Sequence, residues 1–297
     1  VRLWNNDSDG DGYGAPNSSN PYFNTVAKHT YNVNEDMNHS STATRYYVER
    51  VLEQWITEYK IDGFRWDLTK GFTQNCTASD QTCTNAYQQD RVDVLKLYAD
   101  KQWSFDPSSY VIFEHLGTDA EEQQWANYRI GEGKGVILWD NLNYAYNQNT
   151  MGSTSGSNIG RADYESHGFA ERRNKTYGES HDEERLMYRN LTNGATNGVY
   201  NVKNLATALE RQKAFAAALF TIPGPKMLWQ FGELGFDLSI NRCANGTVNN
   251  NCRTDPKPSA FSTTLNYYND PQRKAVYDTW AKIINLRVNN EVFNTKT

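Results

Sequence analysis

The sequence predicts an α/β protein built on a largely parallel sheet, and three observations support this. The chain has 297 residues, which is enough for one large core or two small ones. Segments with apolar residues at three- and four-residue steps alternate with short β-type runs. Aromatic residues make up 13% of the chain although its mean hydropathy is -0.81, which favours an ordered core over disorder.

The predicted elements follow one another as helix and then strand. From Ser40, a predicted N-cap, apolar residues as far as Tyr59 lie on one helical face, and residues 61–67 follow as a strand. Further helix and strand pairs are predicted at 86–103 with 110–113, 121–129 with 136–139, 163–172 with 176–178, and 205–220 with 226–229. A last helix is predicted at 272–288. This alternation indicates either an open doubly wound sheet or a (β/α) barrel.

Polar residues at the carboxyl ends of three predicted strands favour the barrel. In a barrel these ends meet at one face, where active sites lie. The residues concerned are Arg65 and Asp67, Glu114 and His115, and His181 and Asp182. Only about five strands are predicted, whereas a closed TIM-type (β/α)8 barrel has eight. We therefore expect an incomplete barrel, with about three β/α units belonging ahead of Val1.

Charge and hydropathy exclude two classes of partner. The formal net charge is -5, so no basic surface is expected to bind nucleic acid. No window approaches the roughly 18 consecutive apolar residues of a membrane span. We expect neither nucleic acid nor membrane as a partner.

The four cysteines form two close pairs, Cys76 with Cys83 and Cys243 with Cys252. Neither pair has zinc-type spacing, so two local disulfides are favoured over free thiols. Disulfides point to an exported protein, secreted or periplasmic. Residues 1–4 do not resemble a signal peptide, so we expect a removed leader or a longer precursor.

Two carboxylates at neighbouring strand ends suggest a chemistry. Arg65 and Asp67 alternate along a strand and so point the same way, and a guanidinium favours the ionised, nucleophilic carboxylate. Glu114 ends an apolar strand, a costly place for a carboxylate without a partner or a role. One ionised carboxylate and one able to hold a proton are what glycosidic bond cleavage requires. The alternative is that each is an ion-paired or helix-capping residue.

The motifs around these residues resemble the α-amylase family, glycoside hydrolase family 13. Gly63–Lys70 is similar to its strand-four motif, Phe113–His115 to its strand-five motif and Ser180–Asp182 to its strand-seven motif. Asp36–Asn38 resembles the short motif ahead of strand four, and Gly224–Gly235 the segment around strand eight. The likeness covers nearly the whole chain and is closest to bacterial secreted α-amylases, whose long strand-seven stretch is similar to 178–185.

The resemblance implies a role for each matching residue. Asp67 would be the nucleophile, Glu114 the general acid and base, and Asp182 the stabiliser of the transition state. Arg65 would orient Asp67. The further sugar-contacting residues it implies are His181, Lys70 and His115. Nearby aromatic residues that either stack on sugars or pack in the core are Trp66, Trp139, Tyr144 and Tyr177.

The family likeness also implies how the chain is organised. Residues 1–39 would be a loop-rich segment inserted after barrel strand 3, and residues 40–297 the later part of the catalytic barrel. The family's strand-three motif and its C-terminal β domain are absent from the sequence. We therefore expect this 297-residue piece alone to be poorly stable and to show little activity.

Calcium is the one metal considered. Where the family often has a calcium-binding His after Lys70, this chain has Gly71. A separate candidate site is Asp7, Asp9 and Asp11, whose alternating carboxylates match the first half of a calcium loop, although Ser18 stands where the loop needs Glu. No organic cofactor is expected.

The sequence thus predicts a monomeric retaining hydrolase that cleaves α-1,4 bonds of α-glucan polysaccharides or oligosaccharides. The alternatives are an α-1,6-debranching or transglycosylating relative, or an α-glucan-binding protein without turnover.

Overall fold

The computed structural model describes residues 20–32 and 35–293, which form two compact units. The first unit comprises the described residues up to Trp139 together with Gly168–Arg173. The second comprises Asp140–His167 and the described residues from Asn174 onward. The boundaries of these units do not coincide with the predicted boundary at residue 39, and that domain division stays a prediction.

The first unit is built on parallel strands with helices between them. Its helices are α1 (Thr42–Thr57), α2 (Gln81–Asn85), α3 (Gln89–Phe105) and α4 (Asp119–Ala126). Its strands are β1 (Gly63–Trp66), β2 (Tyr110–Phe113) and the first part of β3 (Ile137–Asn141). β1 and β2 pair in parallel, with Gly63 opposite Tyr110 and Trp66 opposite Phe113. Gly63 is required here, because a Cβ would lie 2.1 Å from the carbonyl oxygen of Tyr110.

Aromatic packing holds the first unit together beneath the strand ends. The Trp66 and Tyr98 rings stack with their centroids 5.4 Å apart, and the Phe113 and Trp125 rings meet edge to face at 5.5 Å. Tyr98, Phe113 and Trp125 are almost completely buried. The carboxyl ends of β1 and β2 therefore emerge from a rigid, close-packed base.

The second unit is mainly helical. It contains the end of β3, α5 (Asn143–Met151), β4 (Asn174–Tyr177), α6 (Leu186–Asn193), α7 (Leu205–Thr221) and α8 (Pro271–Val288). A short hairpin, β5 (Thr196–Asn197) and β6 (Tyr200–Asn201), precedes α7. Its core is built from α5, α6, α7 and α8, with Tyr146, Leu186, Phe215 and Trp280 among the buried side chains.

The main sheet has the strand order β1-β2-β3-β4, and over the described residues it does not close on itself. Parallel strands alternating with helices confirm the predicted fold class, an incomplete (β/α) barrel. The predicted fifth strand at 226–229 is reduced to a single parallel bridge between Thr176 and Lys226. Pro225, next to that bridge, has no N–H to extend the ladder.

The predicted helix at 163–172 is wrong. Two short 3₁₀ turns, Gly160–Ala162 and Tyr164–His167, occupy this region instead. Gly168 has a φ of +71°, which ends the helical geometry, and β4 starts at Asn174, two residues before the predicted strand. The helices α2, α5 and α6 were not predicted; α2 and α5 have Asn-, Gln- and Thr-rich sequences that resemble loops, and α6 has only eight residues.

Both predicted disulfides, Cys76–Cys83 and Cys243–Cys252, are present. Within residues 20–32 and 35–293, none of the helices combines the length and the apolar character needed to cross a bilayer.

Candidate active site

The ends of β1 and β2 bring Asp67 and Glu114 to one guanidinium. The strands are in register, and the Glu114 N–H donates to the Trp66 carbonyl oxygen at 3.0 Å. The Arg65 side chain donates through Nη1 to the Asp67 carboxylate, and its Nη2 lies 2.9 Å from Glu114 Oε2. The two carboxylates that the sequence singled out therefore share one cation in the first unit.

The two carboxylates have different surroundings. The Asp67 side chain is 76% exposed, whereas that of Glu114 is only 13% exposed. Glu114 Oε2 also accepts the Leu68 N–H at 2.9 Å, and Leu68 adopts a left-handed turn with φ 43°. One carboxylate is thus open to attack an incoming ligand, and the other is enclosed and held by the turn after β1.

Trp139 supports the shared guanidinium from the side. The Arg65 Cζ lies 4.2 Å from the Trp139 ring centroid, within the range of a cation–π contact. Trp139 is only 6% exposed. The aromatic face therefore restricts the positions that Arg65 can adopt beside the two carboxylates.

A buried ionic network underlies the carboxylate pair. Arg91 donates to both Glu121 oxygens, through Nε at 2.8 Å and Nη2 at 2.6 Å. His115 Nε2 lies 3.0 Å from Glu121 Oε2, and its Nδ1 lies 3.1 Å from the Thr69 hydroxyl. The Thr69 N–H donates to the Glu114 carbonyl oxygen at 2.9 Å, and the Thr69 hydroxyl oxygen lies 3.0 Å from that same oxygen.

Burial and hydrogen bonding act in opposite directions on the charge states in this network. Burial lowers the pKa of His115 to about 4, against the opposing effect of Glu121, so the imidazole is neutral at pH 7. For Glu121, burial alone would raise the pKa, but hydrogen bonds from His115 and Arg91 outweigh it and the pKa is lowered. The His115 side chain is fully enclosed, so we assign it to holding this strand end and not to the sugar contact expected from sequence.

Two other sequence candidates lie in the first unit, Lys70 near the surface and Trp66 in the core. The Lys70 ammonium lies 5.7 Å from the Tyr31 ring centroid, and its backbone carbonyl accepts a bond from Arg91. Trp66 packs on Tyr98 in the core. A cavity of about 420 Å³ lies beside Asp67. Its lining includes Trp66, Leu68, Met37 and Phe72.

In the second unit, His181 and Asp182 lie just beyond β4. The His181 Nε2 is 3.3 Å from Asp182 Oδ2, and the two side chains are 47% and 46% exposed. The Trp229 ring centroid lies 5.9 Å from that of His181. Of the two aromatic candidates in this unit, Tyr177 is completely buried and Tyr144 is 68% exposed.

Buried acidic residues anchor the segment that carries His181 and Asp182. Glu179 accepts the Leu186 N–H at 2.8 Å and pairs with Arg185 Nη1 at 3.1 Å. Burial raises the pKa of Glu179, opposed by Arg185. Burial also raises the pKa of Glu183, whose Oε1 accepts from Asn141 at 2.5 Å. The segment is therefore held at both ends by side chains that are not themselves exposed.

The calcium candidates receive no support from the described residues. Asp7, Asp9 and Asp11 lie outside them. Near Gly71, a Cβ would meet the His29 imidazole at 2.9 Å, and His29 Nε2 lies 3.2 Å from Asp36. Asp36 Oδ2 also accepts from the Asn24 amide and from the Lys28 N–H, both at 2.8 Å. Protein donors thus already occupy the Asp36 oxygens, so the residues beside Gly71 do not fit a cation.

Sequence reasoning missed several residues of these networks. Arg91 and Glu121 lie on helices with no motif around them, and only their burial marks them. Arg253 pairs with Asp182 from a loop far along the chain. Its position directly after Cys252 was the one available signal, because a disulfide holds its neighbours in place.

Comparison with known proteins gives one family and a set of similar folds. The sequence profile described as "Alpha amylase, catalytic domain" matches residues 4–285. No curated protein sequence matches the chain.

Three solved structures illustrate the similarity of fold. Eubacterium rectale Amy13B is 16% identical, with a TM-score of 0.53 over 85% of this chain and 50% of that one. Type I pullulanase from Bacillus subtilis, complexed with maltose, is 14% identical, with a TM-score of 0.57 over 88% of this chain and 35% of that one. AmyP in complex with maltose is 17% identical, with a TM-score of 0.54 over 88% of this chain and 53% of that one. The chain therefore spans between about a third and about half of these proteins, and the likeness establishes the fold alone.

Proposed function

The chain belongs to the α-amylase catalytic-domain family, and from that premise we propose that it carries the catalytic carboxylates of a retaining glycoside hydrolase acting on α-1,4-linked α-glucans. One observation carries the proposal. Asp67 and Glu114 share the Arg65 guanidinium, and one is exposed while the other is enclosed. A retaining mechanism needs two carboxyl groups that lie close together in different environments.

In the proposed reaction, Asp67 attacks the anomeric carbon and forms a covalent glycosyl-enzyme. Glu114 donates a proton to the leaving glycosidic oxygen, so the bond breaks without releasing an alkoxide. Glu114 then takes a proton from water, which attacks the same carbon and frees Asp67. Arg65 orients Asp67 through its contact with the carboxylate.

The proposal for Asp182 and His181 comes from the family motif. Asp182 binds sugar hydroxyls more tightly in the transition state than in the ground state, and His181 contacts the same ring. Their half-exposed side chains are compatible with this role. Lys70 and Tyr144 are proposed as contacts to further sugars, because both remain accessible.

The decisive experiment compares amylose with pullulan as substrates of the protein that contains this chain. Short α-1,4 oligosaccharides from amylose support the proposal. Maltotriose from pullulan, with amylose left intact, would instead indicate an α-1,6-debranching enzyme. The Asp67→Asn variant is the control for contaminating activity. Binding of both polymers without any release of reducing ends would favour a binding protein.

We also propose that the protein acts outside the cytoplasm, as a monomer. The two disulfides support export, since such bonds persist in oxidising compartments. Mass mapping of non-reduced peptides from native material tests the disulfides, and light scattering tests the monomer. Calcium binding at Asp7, Asp9 and Asp11 remains a separate prediction, checked by calorimetric titration with CaCl₂.

A further inference from the structure

Arg253 makes three hydrogen bonds to the segment that carries the proposed transition-state carboxylate, one of them to the carboxylate itself. Its Nη1 donates to the Asp182 carbonyl oxygen at 3.1 Å, and its Nη2 donates to the His181 carbonyl oxygen at 3.1 Å. Nη2 also donates to Asp182 Oδ1. One side chain therefore restrains both the backbone and the carboxylate of the same residue.

The loop that carries Arg253 is fixed on both sides of it. The Cys243–Cys252 disulfide closes the loop directly before Arg253. After it, the Lys257 ammonium donates to the carbonyl oxygens of Cys252 at 2.8 Å and Arg253 at 3.0 Å. The backbone that carries the Arg253 guanidinium is therefore constrained, unlike that of a freely moving surface segment.

A second anchor ties the residues just before this loop to the segment that carries Asp182. Glu184 lies two residues after Asp182, and its carboxylate accepts from the Ser239 hydroxyl at 2.6 Å and the Ile240 N–H at 3.1 Å. The loop and the segment therefore meet through two independent charged groups, Glu184 and Arg253, of opposite sign.

Stability alone does not account for the Arg253 contacts. Arg253 is 42% exposed and Asp182 is 46% exposed, and ion pairs this exposed contribute little to folding. The guanidinium also lines a cavity of about 170 Å³ together with His181, Trp229 and Lys257. A fork of donors beside a carboxylate and an aromatic ring suits a polyhydroxylated ligand.

We propose that Arg253 is a positioning residue, which holds the Asp182 carboxylate in the orientation needed to bind sugar hydroxyls, and that the Cys243–Cys252 loop exists to present it. This inference rests on the proposed function. It adds a loop residue that acts through Asp182 to the residues implied by the family motifs.

The test compares Arg253→Gln with Arg242→Gln in the protein that contains this chain. Arg242 directly precedes Cys243, and its Nη1 donates to the Gly246 carbonyl oxygen within the loop, so it is a matched control. We expect Arg253→Gln to lower kcat by about tenfold or more with a smaller change in KM, because Asp182 acts mainly in the transition state. Arg242→Gln should stay within about twofold of the wild type.

One further variant and a chemical rescue distinguish a positioning role of Arg253 from a general loosening of the loop. Arg253→Lys keeps the charge but lacks the planar fork, so we expect partial activity. Added guanidinium ion at low concentration should restore part of the activity of Arg253→Gln and none of that lost by Asp182→Asn. A drop in kcat that neither Lys nor guanidinium recovers, together with a lowered melting temperature, would overturn the positioning role.

The disulfides provide a second matched pair. Cys243→Ser with Cys252→Ser should reduce kcat, because the loop no longer presents Arg253, whereas Cys76→Ser with Cys83→Ser should reduce stability with less effect on kcat. Equal kcat for the two double variants contradicts the inference.

The wild type and Asp67→Asn are measured alongside. An inactive wild type rejects the proposed function and the inference with it. An active wild type, an inactive Asp67→Asn and an unchanged Arg253→Gln reject the inference alone.

Discussion

At the residue scale, the contrast between Asp67 and Glu114 follows from where their strands end. Asp67 follows β1, with 76% of its side chain exposed. Glu114 follows β2 and is covered by the turn at Leu68, which donates its N–H to the carboxylate. The same guanidinium reaches both side chains. The two side chains therefore carry the same functional group, a carboxylate, but differ in how much of it the surrounding residues bury.

Asp67→Asn and Glu114→Gln are expected to lower turnover of amylose by about 100-fold or more, because in the proposed mechanism each removes a group that makes or breaks a bond. Both changes keep the size of the side chain, so the melting temperature should change little. Steady-state assays and thermal melts check this. Asp62→Asn, at the opposite end of β1 and exposed, is the control. More than half of normal activity in either catalytic variant would refute the assignment.

His29 gives a pH-dependent contribution to stability. Burial acts to lower its pKa, but the hydrogen bond and charge of Asp36 outweigh burial and the opposing charge of Arg91, so the pKa is raised above 6.5. A raised pKa in the folded state means that the stabilisation is complete below about pH 6.5 and is lost as the pH rises through the folded-state value. Removal of His29 should therefore matter more at acidic than at alkaline pH.

The measurement is the free energy of unfolding of His29→Gln and wild type at about pH 5.5 and about pH 8.5. We expect His29→Gln to lower the free energy of unfolding by more at about pH 5.5 than at about pH 8.5. His39 is the internal contrast, because burial lowers its pKa to about 4 and its contribution is lost as the pH falls. If His39→Gln also lowered the free energy of unfolding more at the lower pH, as expected for His29→Gln, this account would be ruled out.

At the scale of elements, one ionic network joins five of them. Arg91 on α3 and Glu121 on α4 meet His115, which follows β2. The Arg91 Nη1 also donates to the carbonyl oxygens of Lys70, after β1, and Thr84, on α2. The turns that carry Asp67 and Glu114 are therefore held in place by the fully buried charged side chains of Arg91 and Glu121.

Glu121→Gln is expected to destabilise the protein by about 3–5 kcal/mol, because it leaves the buried Arg91 without its counter-charge. Chemical denaturation gives the free energy of unfolding. Glu132→Gln is the matched control, since Glu132 pairs with Arg129 at an exposed site and the change should be small. Similar losses of unfolding free energy for Glu121→Gln and Glu132→Gln would show that the buried network does not hold these turns in place.

Some helices were predictable and others were not, for a common reason. α7 and α8 are long, with 17 and 18 residues, and the predicted bounds of 205–220 and 272–288 agree with Leu205–Thr221 and Pro271–Val288. α5 has the sequence NYAYNQNTM, and its helical state depends on burying Ala145 and Tyr146 in the second unit. Tertiary burial overrode weak local propensity there.

At the scale of the whole molecule, the stereochemistry of the product follows from the carboxylate pair. In the proposed mechanism Asp67 attacks the anomeric carbon directly and water attacks only in the second step, so the α-anomer should be formed first from α-glucan. Proton NMR during the first minutes of hydrolysis distinguishes α- from β-anomeric products. Initial formation of the β-anomer would indicate inversion, and the covalent intermediate would then be wrong. Coordinates of a substrate complex should place the Asp67 and Glu114 carboxyl groups roughly 5 to 5.5 Å apart.

The sequence by itself determined the alternation of helices and strands, the disulfide pairs and the strand-end motifs with Asp67, Glu114 and Asp182. These depend on periodicity and on short-range spacing, which are visible along the chain. Only the tertiary structure decided that Glu114 is enclosed while Asp67 is open, that His115 is buried against Glu121, and that Arg253 meets Asp182. Exposure and ion pairing between residues distant in sequence arise from packing, and packing leaves no local pattern in the chain to read.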